Sequence, residues 1–94
     1  MAVLNVEVVT RETVVWRGEA KYVRARTAEG QLGILPGHVA TMALLAEDGE
    51  LVIDPVDGQR YTSRLQEGFL TVAQNHVVIA AKSSSDAEKE PSAA

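Results

Sequence analysis

The sequence predicts an all-β domain built around one hydrophobic core. Apolar and polar residues alternate along most of the chain, and turn-forming dipeptides separate the alternating runs. The chain has 94 residues, which suits one domain and is too short for two. About eight or nine short strands with frequent turns favour a β-sandwich or a flattened barrel.

The first part of the chain contains three predicted strands. The first alternates, the second is rich in β-branched and aromatic residues and ends at Gly18, and the third alternates again. Arg24 and Arg26 share one face of the third strand, so they form either a small cationic patch for an acidic partner or a solvated surface. The three strands cover residues 2–10, 13–17 and 21–27.

The middle of the chain is glycine-rich. Residues 29–38, EGQLGILPGH, are predicted to form an ordered loop, in which Pro36 and Gly37 make a turn. The following segment, residues 38–47, fits helical and strand spacing alike, and we interpret it as a strand.

Two Asp-Gly pairs in the second half predict hairpins. Asp48-Gly49 would join residues near Leu44 to residues 51–54, and Asp57-Gly58 would join that strand to residues 60–65. Gly68 then begins a strand over residues 69–73, and a turn at Gln74-Asn75 leads into a last strand over residues 76–81. The predicted domain covers residues 1–82, and the polar residues 83–94 are predicted to form a disordered tail.

Composition excludes several classes of function. The net charge of −4 argues against nucleic-acid binding. The absence of cysteine excludes disulfides and thiolate metal sites. No apolar stretch approaches the roughly 20 residues that a membrane helix needs, so direct membrane insertion is not expected.

No pattern of residues predicts catalysis. The two histidines, His38 and His76, have no recognisable nucleophile and acid partners, because most serines lie in the polar tail and the other is Ser63. Carboxylates cluster at the Asp-Gly turns without the spacing of metal ligands, and the glycine-rich segment fits neither a P-loop nor a dinucleotide fingerprint. We therefore expect a noncatalytic protein without a cofactor or metal.

The glycine-rich segment carries a family resemblance. EGQLGILPGH at 29–38 closely resembles the EGELGILPGH signature of the epsilon subunit of F-type ATP synthases. Val8-Val9-Thr10, Gly18-Glu19 and EGFLTVAQNHVVIAA at 67–81 resemble that family's flanking segments in order and spacing. The resemblance covers residues 2–81.

This resemblance implies a flattened β-sandwich of about ten short strands and a noncatalytic rotor role. The family binds the gamma subunit and the c-ring, at the cytoplasmic face of the bacterial membrane, and so couples proton flow to ATP synthesis. The isolated chain would be a monomer. By the same resemblance, the gamma-contact residues would be Pro36, Gly37 and His38, and the c-ring contacts would be Glu29, Gly30, Gln31, Leu32 and Gly33.

The sequence departs from the family at three places. Gln31 replaces the usual glutamate, which removes one charge from the expected c-ring contact. Glu67 replaces the first glycine of a usual pair. The family's C-terminal two-helix domain has no counterpart in the 94 residues, so we expect a short form that couples rotation without inhibition by such helices.

Two other classes of function remain open from the residues alone. A free-standing module that binds saccharide or peptide is disfavoured because only 4% of residues are aromatic. A small hydrolase is disfavoured because no nucleophile and base are paired.

Overall fold

A computed structural model describes residues 2–84, and these form strands and connecting turns without a helix. The all-β prediction is confirmed, but the prediction of about ten short strands is wrong, because there are seven in this part of the chain. Their bounds are β1 Leu4–Thr10, β2 Val14–Thr27, β3 Gly30–Ile34, β4 Thr41–Leu44, β5 Gly49–Pro55, β6 Tyr61–Ala73 and β7 His76–Ser84.

The strands form a flattened, partly closed barrel. β1, β7, β6, β5 and β2 are joined in a circuit, because β1 pairs in parallel with β7 and antiparallel with β2. β3 adds to β2 and β4 adds to β6, each as an edge strand. The described molecule measures 34 × 29 × 20 Å, so the closed circuit is flattened.

Two long strands account for the lower strand number. β2 has 14 residues and pairs with β1 through its first half and with β3 and β5 through its second. β6 has 13 residues and pairs with β5 first and with β4 afterwards. The predicted strand break at Gly18 and the strand start at Gly68 are therefore wrong.

The two glycines mark close approach rather than chain ends. Gly18 pairs with Val6, and a Cβ at Gly18 would lie 3.1 Å from the Trp16 ring. Gly68 pairs with Ala81, and a Cβ there would overlap the Ala80 carbonyl group. Glycine within a strand commonly marks such an approach.

The connections between β3 and β7 follow the predictions only in part. Residues 30–34 form β3 instead of a loop. The first predicted hairpin is wrong, because Leu44 in β4 pairs with Phe69 in β6 and not with β5. The second hairpin, between β5 and β6, and the turn at Gln74-Asn75 are confirmed.

The core lies inside the circuit. It is made of aliphatic side chains, with Trp16, Tyr61, Val15 and Leu32 packed against it. The largest fully buried side chains are Leu4, Val6, Val8, Val23, Ile34, Leu51, Ile53, Leu65, Leu70, Val72, Val77 and Ile79.

β7 continues to Ser84, two residues past the predicted domain end at Lys82. The Ser84 and Ser63 hydroxyl oxygens are 2.7 Å apart in a buried hydrogen bond. The rest of the predicted disordered tail, from Ser85 onward, lies outside the described residues.

Candidate partner-binding surfaces

The first predicted contact group, Glu29 to Gly33, occupies the β2–β3 turn and most of β3. The Thr27 hydroxyl organises the turn, since it accepts a hydrogen bond from the Glu29 amide at 3.2 Å and donates one to the Gly30 carbonyl at 2.7 Å. Gly30 has φ of 125°, which favours glycine. All five residues are exposed except Leu32, which is half-buried.

The second predicted group, Pro36 to His38, forms the turn that follows β3. The His38 amide donates to the Leu35 carbonyl at 3.1 Å, and Gly37 has φ of 90°. Pro36 and Gly37 occupy the two central positions of this type II turn, so the predicted turn is confirmed. The His38 ring Nδ1 lies 2.8 Å from the Val39 carbonyl oxygen. The two predicted groups are therefore neighbours along the chain, with Ile34 and Leu35 between them.

An exposed apolar surface lies beside the second group. Met42 and Leu44 in β4 are 76% and 67% exposed, and Phe69 in β6 is 44% exposed. The register places Leu44 opposite Phe69 on the neighbouring strand, and it places Val78 of β7 one strand beyond Met42, with Thr71 between them. We call Met42, Leu44, Phe69 and Val78 the apolar face. Clustered apolar exposure of this kind marks an interaction surface.

Sequence reasoning missed the apolar face. It gave no partner-binding role to Met42, Leu44, Phe69 or Val78. Residues 42–45 are all apolar, so alternation does not show which side of β4 points outward. The face is visible only when the β4–β6 register is known.

A shallow groove of about 230 Å³ lies between the β2–β3 turn, where the first predicted group begins, and the apolar face. Its walls are the β2–β3 turn at Thr27–Glu29 and the strand residues Met42–Leu44. The Ala28 amide donates to the Leu44 carbonyl at 2.9 Å, which holds the turn against β4. The first predicted group and the apolar face are therefore continuous.

Comparison with known proteins identifies the family. Residues 3–87 match the family described as the β-sandwich domain of the ATP synthase delta/epsilon chain. The chain belongs to this delta/epsilon family. The ATP synthase epsilon chain of Micrococcus luteus is 48% identical over 83 residues, which are 88% of this chain and 90% of that relative. The epsilon chain of Corynebacterium diphtheriae is 42% identical over 82 residues, 87% of this chain and 67% of that relative.

Solved structures show the same delta/epsilon fold. A chain of the Euglena gracilis mitochondrial ATP synthase, in a structure of OSCP, F1 and c-ring, superposes with a TM-score of 0.81 at 22% identity. A chain of the Tetrahymena thermophila mitochondrial ATP synthase, in a structure of central stalk and c-ring, superposes with a TM-score of 0.73 at 19% identity. The present chain is covered to 89% and 86%, but it spans only 53% and 64% of those chains.

The outward side of β2, β5 and β6 carries balanced charge in this delta/epsilon domain. Arg24 lies 3.5 Å from Glu50, and Arg64 lies 3.3 Å from Asp48. These side chains, with Arg26, Gln31 and Glu47, line a polar groove of about 220 Å³. The arginines predicted to form either a cationic patch or a solvated surface therefore lie among carboxylates, as in a solvated, mixed-charge surface.

Residues 2–84 hold no group of three or more His, Asp or Glu side chains placed to bind a metal ion. Within the same residues, no helix is present that could cross a bilayer. His76 is exposed and is the first residue of β7, directly after the β6–β7 turn.

Proposed function

We propose that this domain is a noncatalytic rotor subunit of an F-type ATP synthase, which binds the gamma subunit and the c-ring in the central stalk. The exposed apolar face beside the His38 turn is the observation that carries the proposal, because it suits a stable protein partner. Membership of the delta/epsilon family supports it. The two structural neighbours come from structures that contain F1 and the c-ring, or the central stalk and the c-ring, which fits the same role.

The gamma subunit is the proposed occupant of the apolar face. Stable interfaces bury about 800 Å² on each partner, with an apolar centre and a polar rim. Met42, Leu44 and Phe69 would supply the centre, and the turn at Pro36, Gly37 and His38 would supply one side of the rim. The Glu7–Arg17 ion pair would bound the other side of the rim, with Arg17 Nη2 2.8 Å from Glu7 Oε2.

The c-ring is the proposed partner of Glu29 to Gly33. This segment is polar and exposed, and Glu29 is the charged residue within it. Gln31 can still accept and donate hydrogen bonds to a c-ring loop, but it lacks the charge that would attract a basic one. The groove between Thr27–Glu29 and β4 makes this segment continuous with the gamma face, so one rigid domain would touch both partners.

The remaining parts of the proposal concern the location of the domain, its oligomeric state and its part in energy coupling. The domain would lie at the cytoplasmic face of a bacterial membrane as a peripheral part of the complex, and it would be a monomer when isolated. Proton flow through the c-ring would reach the catalytic head through gamma.

The decisive experiment measures binding of the chain to purified gamma subunit from the same source. Leu44→Ser should weaken binding about tenfold, because one central apolar contact is typically worth 1–2 kcal/mol. His38→Ala should weaken it less, as expected at a rim. Val56→Ser is the matched control, since Val56 is 45% exposed but lies in the β5–β6 connection. Wild-type protein that fails to bind gamma, or equal losses for Leu44→Ser and Val56→Ser, would contradict the proposed gamma face.

A parallel experiment tests the c-ring contact. Gln31→Ala should weaken binding to purified c-ring, and Gln31→Glu should strengthen it at low salt, with the gain disappearing as salt screens the charge. Gln59→Glu, in the exposed β5–β6 connection, controls for net charge. If Gln59→Glu has the same effect as Gln31→Glu, the contact is not made by this segment.

A further inference from the structure

The turn between β6 and β7 holds the His38 turn in place through one side chain. The Asn75 Oδ1 atom accepts a hydrogen bond from the Gly37 amide at 2.8 Å, across 38 residues of sequence. The Asn75 carbonyl oxygen also accepts a hydrogen bond from the Asn5 amide of β1 at 2.7 Å. Asn75 therefore joins the β3–β4 connection to the body of the domain.

The His38 turn has few other backbone ties. Within residues 35–40, the backbone–backbone hydrogen bond runs from the His38 amide to the Leu35 carbonyl and so closes the turn on itself. The flanking Leu35 and Val39 side chains are 59% and 73% exposed, so burial adds little restraint. The hydrogen bond to the Asn75 side chain ties this turn to a distant part of the chain.

Asn75 occupies a turn position that few residue types other than glycine adopt readily. Gln74 and Asn75 have φ of 49° and 65°, as in a two-residue hairpin turn with both central residues in the left-handed region. Such turns favour glycine at the second position, where this chain has asparagine. Asparagine tolerates this conformation and, unlike glycine, has a side-chain oxygen that can accept the bond from Gly37.

We infer that Asn75 is a positioning residue for partner binding: its side-chain oxygen fixes the Pro36–His38 turn beside the apolar face. The inference rests on the proposed gamma contact for its functional consequence, but the positioning itself concerns this chain alone. A fixed turn lowers the entropy lost when the partner binds. Asn75 would thus raise affinity without itself touching the partner.

Three variants separate the side-chain bond from the turn that carries it. Asn75→Gly keeps a residue suited to the left-handed conformation but removes the acceptor. Asn75→Asp keeps an oxygen acceptor, and aspartate also tolerates this conformation. Gln74→Gly is the matched control, since it adds a glycine to the same turn and leaves the Asn75–Gly37 bond intact.

Two measurements are made on each variant: hydrogen exchange of the Gly37 amide, and affinity for purified gamma subunit. Asn75→Gly should exchange the Gly37 amide at least fivefold faster and bind gamma about five- to tenfold more weakly, as expected for one hydrogen bond. Asn75→Asp and Gln74→Gly should stay within about twofold of wild type in both measurements. A thermal unfolding scan should show that Asn75→Gly is no less stable than Gln74→Gly.

The outcomes distinguish this inference from the proposed function. Unchanged Gly37 exchange in Asn75→Gly, or an equal change in Gln74→Gly, overturns the positioning role. Faster exchange with unchanged gamma affinity overturns its consequence for binding. If the wild-type domain does not bind gamma, the proposed function fails, and the exchange rates still decide whether Asn75 positions the turn.

Discussion

At the scale of single residues, one glycine and one ion pair show how the structure constrains residue type. Gly68 lies inside β6, where the β7 backbone passes so closely that no side chain fits. Asp54 and Arg60 span the β5–β6 connection and form two hydrogen bonds, of 2.8 and 3.2 Å. The first constraint is steric and the second electrostatic, and each leads to a prediction.

Gly68→Ala should destabilise the domain severely, by about 3 kcal/mol or more, because its Cβ would lie 2.6 Å from the Ala81 Cα and overlap the Ala80 carbonyl. Gly58→Ala is the control. Gly58 has φ of 105° but open space around it, so its cost should be about 1 kcal/mol. Denaturant unfolding measures both, and similar losses for the two variants would contradict the steric argument.

The hydrogen bond from Arg60, with its charge, holds the pKa of Asp54 below its usual value near 3.8. Since the folded-state pKa is lowered, the stabilisation is present above the ordinary pKa and is lost as the pH falls through the folded value. Arg60→Gln should raise the pKa of Asp54, measured by NMR titration of its carboxyl carbon. Arg64→Gln, which removes one of the partners of Asp48, should leave the pKa of Asp54 unchanged. If the pKa of Asp54 is unchanged in Arg60→Gln, then Arg60 is not what lowers it.

At the scale of elements, β6 organises the domain because it pairs with β4, β5 and β7. The sequence predicted strand type, the β5–β6 hairpin and the Gln74-Asn75 turn, since these depend on local alternation and turn chemistry. It failed at Gly18 and Gly68, where glycine serves close packing and continues the strand. It predicted a strand in the β4 region but gave it the wrong pairing partner, because pairing with a strand 25 or more residues away leaves no local signal.

In the candidate site, too, features set by local sequence were predictable and features set by distant pairing were not. The Pro36-Gly37 turn was predictable, because proline and glycine fix its conformation locally. The apolar face required the register of three strands, and the bond from Asn75 to Gly37 joins turns that are distant in sequence. The family resemblance supplied partners for the turn, but it did not supply these contacts.

The end of β7 offers a test at the element scale. Ser84→Ala should cost about 1 kcal/mol, because it removes a buried hydrogen bond to Ser63 in β6. Ser83→Ala, at the exposed neighbouring position, should change the free energy of unfolding by less than about 0.5 kcal/mol. Equal values for the two variants would mean that the Ser63–Ser84 hydrogen bond does not stabilise this end of β7.

At the scale of the whole molecule, the strand circuit joins the first strand to the last strand of residues 2–84. β1 contacts both β2 and β7, so the first strand cannot leave without opening the barrel. The core is likewise shared by β1, β2, β3, β5, β6 and β7 in one cluster. Such a molecule should unfold in one cooperative step.

Equilibrium unfolding should therefore give coincident transitions by two probes. Trp16 is the single tryptophan, and its fluorescence reports on β2, where its ring lies 5.9 Å from Tyr61 of β6. Far-UV circular dichroism reports on all strands together. Tryptophan fluorescence that changes at a lower denaturant concentration than the circular dichroism signal would show that β2 separates from the rest first.

The parallel pairing of β1 with β7 also determines where a label can be attached. The first strand begins beside the β6–β7 turn, where Asn5 pairs with His76 and its amide bonds to Asn75. A fluorophore or affinity tag fused before Ala2 would therefore crowd the His38 turn. β7 carries the chain about 25 Å away from that end of the barrel before it reaches Ser84. Single-molecule rotation assays should thus attach their bead or dye beyond the last strand, where it leaves the turn accessible.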